Sequence, residues 1–257
     1  MASVLLTERR DGVLLMGINR PAKRNAFSFE LLDVLAKAYS QLEDDPTLRC
    51  GLLYAVGDHF TAGLDLAEVG PKMAGGASLF DSADVDPCQT GQGRPRTKPV
   101  VQAVQGYCLT IGIELALAND ICVAHPDTKF GQIEVQRGFL PFGGATVRMP
   151  QRCGWGNAMR YLLTGDLFDG REAHRIGLVA ELSDDPFARG LELAQRIAEQ
   201  APLAVQATIV SARRSIDDEA GALADLEPRA RELMHTADAA EGMASFVERR
   251  KANYTGR

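Results

Sequence analysis

The apolar pattern changes character once along the chain, and that change bounds the fold. Up to about residue 185, short apolar runs of strand length alternate with stretches whose apolar residues recur at helical spacing. Such alternation predicts an α/β architecture. From Pro186 onward strand signals vanish and four helical stretches remain, roughly 186–200, 202–215, 217–235 and 238–250. A tail of that size is too short to bury its own apolar faces, so it must pack on the core or on another subunit. Its Leu191, Ile197, Leu223, Leu226 and Phe246 are the residues a core would have to cover. The chain of 257 residues therefore divides into a core over 1–185 and a helical oligomerisation region over 186–257.

Within the core, residues 4–19 form two apolar runs around Asp11-Gly12, a two-residue hairpin signal. Ser28 is placed to cap a helix in which Phe29, Leu32, Leu35, Ala36, Tyr39 and Leu42 share a face. Leu48–Val56 and Pro99–Val104 read as buried strands, with a short helix starting near Leu64 between them. Residues 70–96, rich in Gly, Pro, Ser and Asp, read as a functional or mobile loop. Later, a helix is expected over Gly154–Leu163, another from an Asp169 cap to Ile176, and a strand over Leu178–Leu182. Trp155, Tyr161 and Leu162 read as core packing.

The chemistry concentrates between Gln105 and Met149. Two acids stand there twenty residues apart: Glu114 between Ile113 and Leu115, and Glu134 between Ile133 and Val135. A carboxylate in apolar company must be paired, raised in pKa or used. The stretch Gln105-Gly106-Tyr107-Cys108-Leu109-Thr110-Ile111-Gly112-Ile113-Glu114-Leu115-Ala116 resembles the pattern N-G-Y-x-x-G-G-G-x-E-L-A of the crotonase superfamily, the enoyl-CoA hydratases and isomerases. Phe130-Gly131-Gln132-Ile133-Glu134 resembles the F-G-x-P-E pattern that follows it. The likeness runs from Ile18–Ser28 to Ser245–Tyr254, nearly the whole chain.

That resemblance implies a spiral of stacked β-β-α units followed by a helical trimerisation region. It also implies an acyl-CoA substrate whose thioester oxygen is held by two backbone amides. By the match these are the amide of Leu64, after Ala62-Gly63, and that of Ile111 at the start of the helix carrying Glu114. A helix N-terminus offers free N–H groups and a positive dipole end, and Ile111 and Glu114, three apart, share a face. In hydratases of the family the two acids divide the work, so Glu134 would serve the α-carbon proton and Glu114 would hold and activate water. Coenzyme A, part of the substrate rather than a separate cofactor, is expected at Lys23, Arg24 and Ala26 and along Ala62, Gly63, Leu64, Asp65 and Leu66. Phe246 and Lys251 match a tail that closes over the nucleotide of a neighbouring subunit, and a homotrimer or dimer of trimers is implied.

Two departures from the pattern bear on the reaction. Ile111 stands where the family has glycine, and Phe142 stands in Pro141-Phe142-Gly143-Gly144 where a glycine amide helps place water. The expected reaction is hydration of an enoyl-CoA. The alternatives are isomerisation, other acyl-CoA enolate chemistry, or a binding protein that kept the fold without catalysis.

Composition narrows the partners. A net charge of −6 argues against nucleic acid, and the densest basic run, Glu248–Lys251, includes an acid. No apolar run reaches membrane-spanning length. The four histidines do not cluster, so no metal site is visible. Five cysteines form no C-x-x-C pair and lie among apolar neighbours, as reduced thiols do. No secretory signal is visible at the N-terminus, and a cytoplasmic location is expected.

Overall fold

The structure is a computed structural model that describes residues 3–77, 84–91 and 93–257. The chain starts with the hairpin β1 (Leu5–Arg10) and β2 (Val13–Ile18), closed at Asp11-Gly12 as the sequence predicts. Helix α1 (Phe29–Asp44) follows, its first turn capped by the Ser28 hydroxyl, which accepts from the Leu31 amide. Next come β3 (Cys50–Ala55), α2 (Leu66–Ala74), β4 (Val100–Val104), β5 (Tyr107–Leu109), α3 (Ile111–Ala118), β6 (Ile121–Ala124) and β7 (Lys129–Gly131). Helices α4 (Ala145–Cys153) and α5 (Trp155–Thr164), strand β8 (Phe168–Asp169), helix α6 (Gly170–Arg175) and strand β9 (Glu181–Leu182) complete the α/β part. Four helices close the chain: α7 (Pro186–Ala198), α8 (Pro202–Arg214), α9 (Glu219–Met234) and α10 (Ala237–Glu248).

Two sheets carry the fold. The larger runs β1-β2-β3-β4-β6-β9, parallel in every pair after the first hairpin. The smaller runs β5-β7-β8. All six residues of β2 are buried, because both faces of the large sheet are covered. Leu14, Met16 and Ile18 pack with α1 residues such as Leu35 and Tyr39, while Val13 and Leu15 pack with Ala194 and Ala198 of α7. A strand covered on both faces reads as a continuous apolar run, which is why β2 and β3 show little alternation.

The tail divides in two. Helix α7 lies on the large sheet, with Leu191 and Ile197 against its second apolar cluster. Helix α8 has no fully buried residue, and Leu223, Leu226 and Phe246 further along are exposed. The expectation of a loose loop over 70–96 is corrected in part. Helix α2 continues to Ala74 through Pro71. Residues 84–91 are pinned by the Asp86 carboxylate, which accepts from the amides of Cys88 and Thr90, and by Arg148, which donates to the Cys88 and Gln89 carbonyls. The rest of that expectation, at 78–83 and 92, lies outside the described residues. Trp155 is a second correction: as the first residue of α5 it is 71% exposed, whereas Tyr161 and Leu162 are buried. The five cysteines are buried free thiols. No helix among the described residues is long and apolar enough to cross a membrane.

Candidate active site

The site forms where the chain leaves the large sheet for the small one. β4 and β5 are separated by Gln105-Gly106, and β5 then runs beside the loop after β3. The Thr61 amide donates to the Tyr107 carbonyl at 2.8 Å, and the Leu109 amide donates to the Thr61 carbonyl at 3.1 Å. On its other side the same loop pairs with Phe27, whose amide donates to the Gly63 carbonyl and whose carbonyl accepts from Asp65, both at 2.8 Å. The loop is thus fixed from both flanks, yet the Leu64 amide between these bonds has no acceptor among the described residues. Gly63 is required here: its φ is +103°, and a Cβ would lie 2.5 Å from the Thr110 hydroxyl.

Helix α3 supplies the opposite wall. All eight of its residues are buried. A helix apolar on every side belongs inside a core, so Glu114 is a carboxylate carried inward by its own helix. Ile111 begins that helix, and its amide, like that of Leu64, has no acceptor among the described residues. A chain of buried polar groups braces the element. The Tyr39 hydroxyl donates to Asn119 at 2.9 Å, the Asn119 amide donates to Gln102 at 2.8 Å, and Gln102 donates to the Gly112 carbonyl at 3.0 Å. At the other end Arg152 donates to the carbonyls of Ala116, Leu117 and Asn119. A satisfied buried network of this kind holds an element in one position.

Thr110, just ahead of the helix, has φ 49° and ψ −112°. A β-branched residue at positive φ is strained, at roughly 1–3 kcal/mol. Its buried hydroxyl has no partner among the described residues.

Both sequence-predicted acids meet in one cleft of about 210 Å³, which is also lined by Leu64, Ile111, Thr110 and Phe142. The Glu114 side chain accepts from the Gly143 amide at 2.6 Å. The backbone donor at Glu114 is therefore Gly143, and the Phe142 ring beside it forms part of the wall. A Cβ on Gly143 would lie 2.4 Å from a Glu114 oxygen, so only glycine lets the backbone come this close.

Burial pushes the Glu114 carboxyl up to about 7, and the nearby Glu134 adds to the rise. The Gly143 and Ala145 amides and Arg148 oppose it. Glu134 opens a 3-10 turn over Glu134–Arg137, and burial pushes its carboxyl up to about 7 as well. The Gln132 amide, turned with its nitrogen toward the acid, lies 3.1 Å from both Glu134 oxygens. Two carboxyls that exchange protons near neutrality, beside two unengaged amides, can move protons on a bound molecule while holding one of its oxygens.

The residues expected to meet coenzyme A separate into two groups. Ala62, Leu64 and Leu66 line the cleft. Asp65 pairs with Arg20 at 3.2 Å, ahead of α2. Lys23 and Arg24 are exposed on a turn outside the cleft lining, with Ala26 following them, and neither cation forms an ion pair among the described residues. The loop is tied to this turn by the Ala62 amide, which donates to the Arg24 carbonyl at 3.0 Å. Asn25, within the same turn, holds it: its buried side chain donates to the Val56 and His59 carbonyls and accepts from the Arg20 amide. Lys251 pairs with Glu199, and Phe246 is exposed. Reading the residues alone missed Gln102, Asn119 and Arg137. A signal did exist for Thr110, because the first glycine of the matched triplet falls on it.

The family model for enoyl-CoA hydratase/isomerase matches residues 8–257. The chain belongs to the enoyl-CoA hydratase/isomerase family. It is an enzyme of the crotonase superfamily, and the hydratases it matches along their full length place it among the lyases. An enoyl-CoA hydratase of Mycobacterium tuberculosis is 34% identical, over 98% of this chain and 96% of that protein. The 2,3-dehydroadipyl-CoA hydratase of Escherichia coli is 33% identical, over 99% of this chain and 100% of that one. Among solved structures, a probable enoyl-CoA hydratase/isomerase from Mycobacterium abscessus superposes with a TM-score of 0.95 at 47% identity, covering 99% of both chains. The α/β fold is that of these crotonases.

Proposed function

We propose that the cleft hydrates the 2,3 double bond of an enoyl-CoA thioester. The observation that carries this reading is the pair of buried carboxyls, each near 7, facing one cleft beside two amides that have no acceptor among the described residues. In the proposed reaction the thioester oxygen sits between the Leu64 and Ile111 amides. Glu114, fixed by Gly143, takes a proton from water as the water oxygen bonds to the β-carbon. The electron pair of the double bond moves toward the thioester oxygen, where the amides stabilise it, typically by a few kcal/mol per donor. Glu134 then delivers its proton to the α-carbon, so the substrate gains one water and the acids exchange protonation states. Acid and base are both needed, and carboxyls near 7 supply the two forms together at neutral pH.

Coenzyme A would enter as part of the substrate, with Lys23 and Arg24 placed to meet its phosphates and Ala26, Ala62, Gly63, Asp65 and Leu66 shaping its path. No further cofactor is needed for proton transfer. The exposed Leu223, Leu226 and Phe246 support the helices of 186–257 that follow α7 as an oligomerisation region building a homotrimer or a dimer of trimers. The five reduced thiols support a cytoplasmic location. Isomerisation is the second reading, favoured by the Phe142 ring, which takes up part of the cleft wall next to the residue whose amide holds Glu114.

Incubation with crotonyl-CoA separates the two. Hydration removes the enoyl absorbance and yields a 3-hydroxyacyl-CoA. Movement of a double bond in a 3-enoyl-CoA without loss of crotonyl absorbance would favour isomerisation instead.

A further inference from the structure

Arg137 is a cation to which the hydration chemistry assigns no ligand, its charge only opposing the rise of the Glu134 carboxyl. It ends the 3-10 turn that Glu134 begins, and in a 3-10 turn residues three apart stand on the same side. Both side chains consequently line the same cleft. Arg137 has no carboxylate within ion-pair distance among the described residues, and its only hydrogen bond there is a 3.3 Å contact from Nη1 to the Ile133 carbonyl. Its surroundings are apolar: Leu66, Phe139 and Phe142 line the same cleft and are 44%, 39% and 40% exposed. Apart from Glu114 and Glu134, Arg137 is the one charged residue of that lining among the described residues. Arg137 is exposed at the edge of this cleft, and a guanidinium with most of its five donors unengaged among the described residues can receive a planar anion through paired hydrogen bonds.

We propose that Arg137 binds a carboxylate at the far end of the acyl chain, so that the preferred substrate class is the mono-CoA thioester of an unsaturated dicarboxylic acid. This rests on the reading of the cleft as an acyl-CoA site. Glu134 serves the α-carbon in that reading, and Arg137 shares its turn, so an anion reaching Arg137 belongs a few carbons beyond the reacting bond. The phosphates of coenzyme A are the other anions on the same molecule. Lys23 and Arg24, exposed on a separate turn, are the cations placed for them.

The test uses binding rather than turnover. Calorimetry measures the affinity of saturated, unreactive mono-CoA thioesters of four-, five- and six-carbon dicarboxylic acids, with neutral acyl-CoAs of equal length alongside. Wild type is expected to bind at least one dicarboxylic thioester about tenfold or more tightly than its neutral counterpart, the scale of a charge-assisted hydrogen bond. Arg137→Gln should remove that preference and leave neutral thioesters within about twofold, and Arg137→Lys should restore part of it. Equal loss for both kinds in Arg137→Gln would assign Arg137 to a phosphate and overturn the proposal. Absence of any dicarboxylic preference in wild type would overturn it too. Because these ligands do not react, a preference that persists in a protein unable to hydrate either crotonyl-CoA or the unsaturated dicarboxylic thioesters would sink the hydratase reading and leave this one standing.

Discussion

Replacing Glu114 by Gln should make the protein more stable above neutral pH while disabling it. The Glu114 carboxyl stands at about 7 in the folded chain against 4.5 for a free one, mainly because its helix carries it into the core. Between those two values the folded state binds more protons than the unfolded state, so stability falls as pH rises through the window. Above it the full penalty for this one group applies, about 3 kcal/mol at roughly 1.4 kcal/mol per pH unit. Below pH 4.5 the penalty is absent, because the acid is neutral in both states. Gln has nearly the same shape, carries no charge, and keeps an oxygen to accept from the Gly143 amide. Its new –NH2 group needs a partner at the other oxygen position, at a cost of about 1 kcal/mol. The variant should therefore exceed wild type by about 1–3 kcal/mol at pH 8 and gain little or nothing at pH 5. Urea unfolding of both proteins at the two pH values, at one protein concentration, measures this double difference. A gain that is the same at both pH values, or larger at pH 5, would refute the electrostatic argument. Hydration in the same variant should fall by about a hundredfold or more.

Three further outcomes follow from the packing. Gly143→Ala puts a methyl where only 2.4 Å separates the Cβ position from a Glu114 oxygen, so hydration should fall by about tenfold or more with the circular dichroism spectrum retained; wild-type turnover would show that this contact does not place the acid. Phe142→Gly should widen the range of acyl chains accepted and preserve or raise crotonyl-CoA hydration, measured as kcat/KM across a chain-length series; if the ring instead excludes water, hydration should emerge where wild type shows little. Light scattering at micromolar concentration should give a trimer or hexamer, and a stable monomer would remove the oligomerisation role from the helical tail.

Much of the frame was legible because local chemistry dictates it. Asp11-Gly12 sets a hairpin, Ser28 sets a cap, and the helical spacing after Phe29 sets a face, and each lies where the sequence predicts. Glu114 and Glu134 were legible as misfits, being acids among apolar residues. Other elements left no local trace. Strands β5, β7 and β8 are two or three residues long, too short for a period to register. Helix α4 has Pro150 inside it and only Ala145, Met149 and Cys153 buried, so its pattern was overlooked beside that of α5. The brace from Tyr39 through Asn119 and Gln102 to Gly112 joins residues up to eighty positions apart, and only the fold assembles it. Arg137 carries no local signal in the sequence, and only the 3-10 turn sets it beside Glu134. Part of the loop over 70–96 is held in a way composition does not report, because Gly and Pro content says nothing of Arg148, which reaches across from α4 to the Cys88 carbonyl.

The central claim is that Glu114 and Glu134 together add one water across the double bond of an acyl-CoA. The most direct measurement is mass spectrometry of the product formed from crotonyl-CoA in water enriched in deuterium and heavy oxygen. Wild type should place one heavy oxygen on the β-carbon and one deuteron on the α-carbon, and Glu134→Gln, like Glu114→Gln, should yield about a hundredfold less of that product. Wild-type product lacking the heavy oxygen, or full labelling that survives in either variant, would contradict the account.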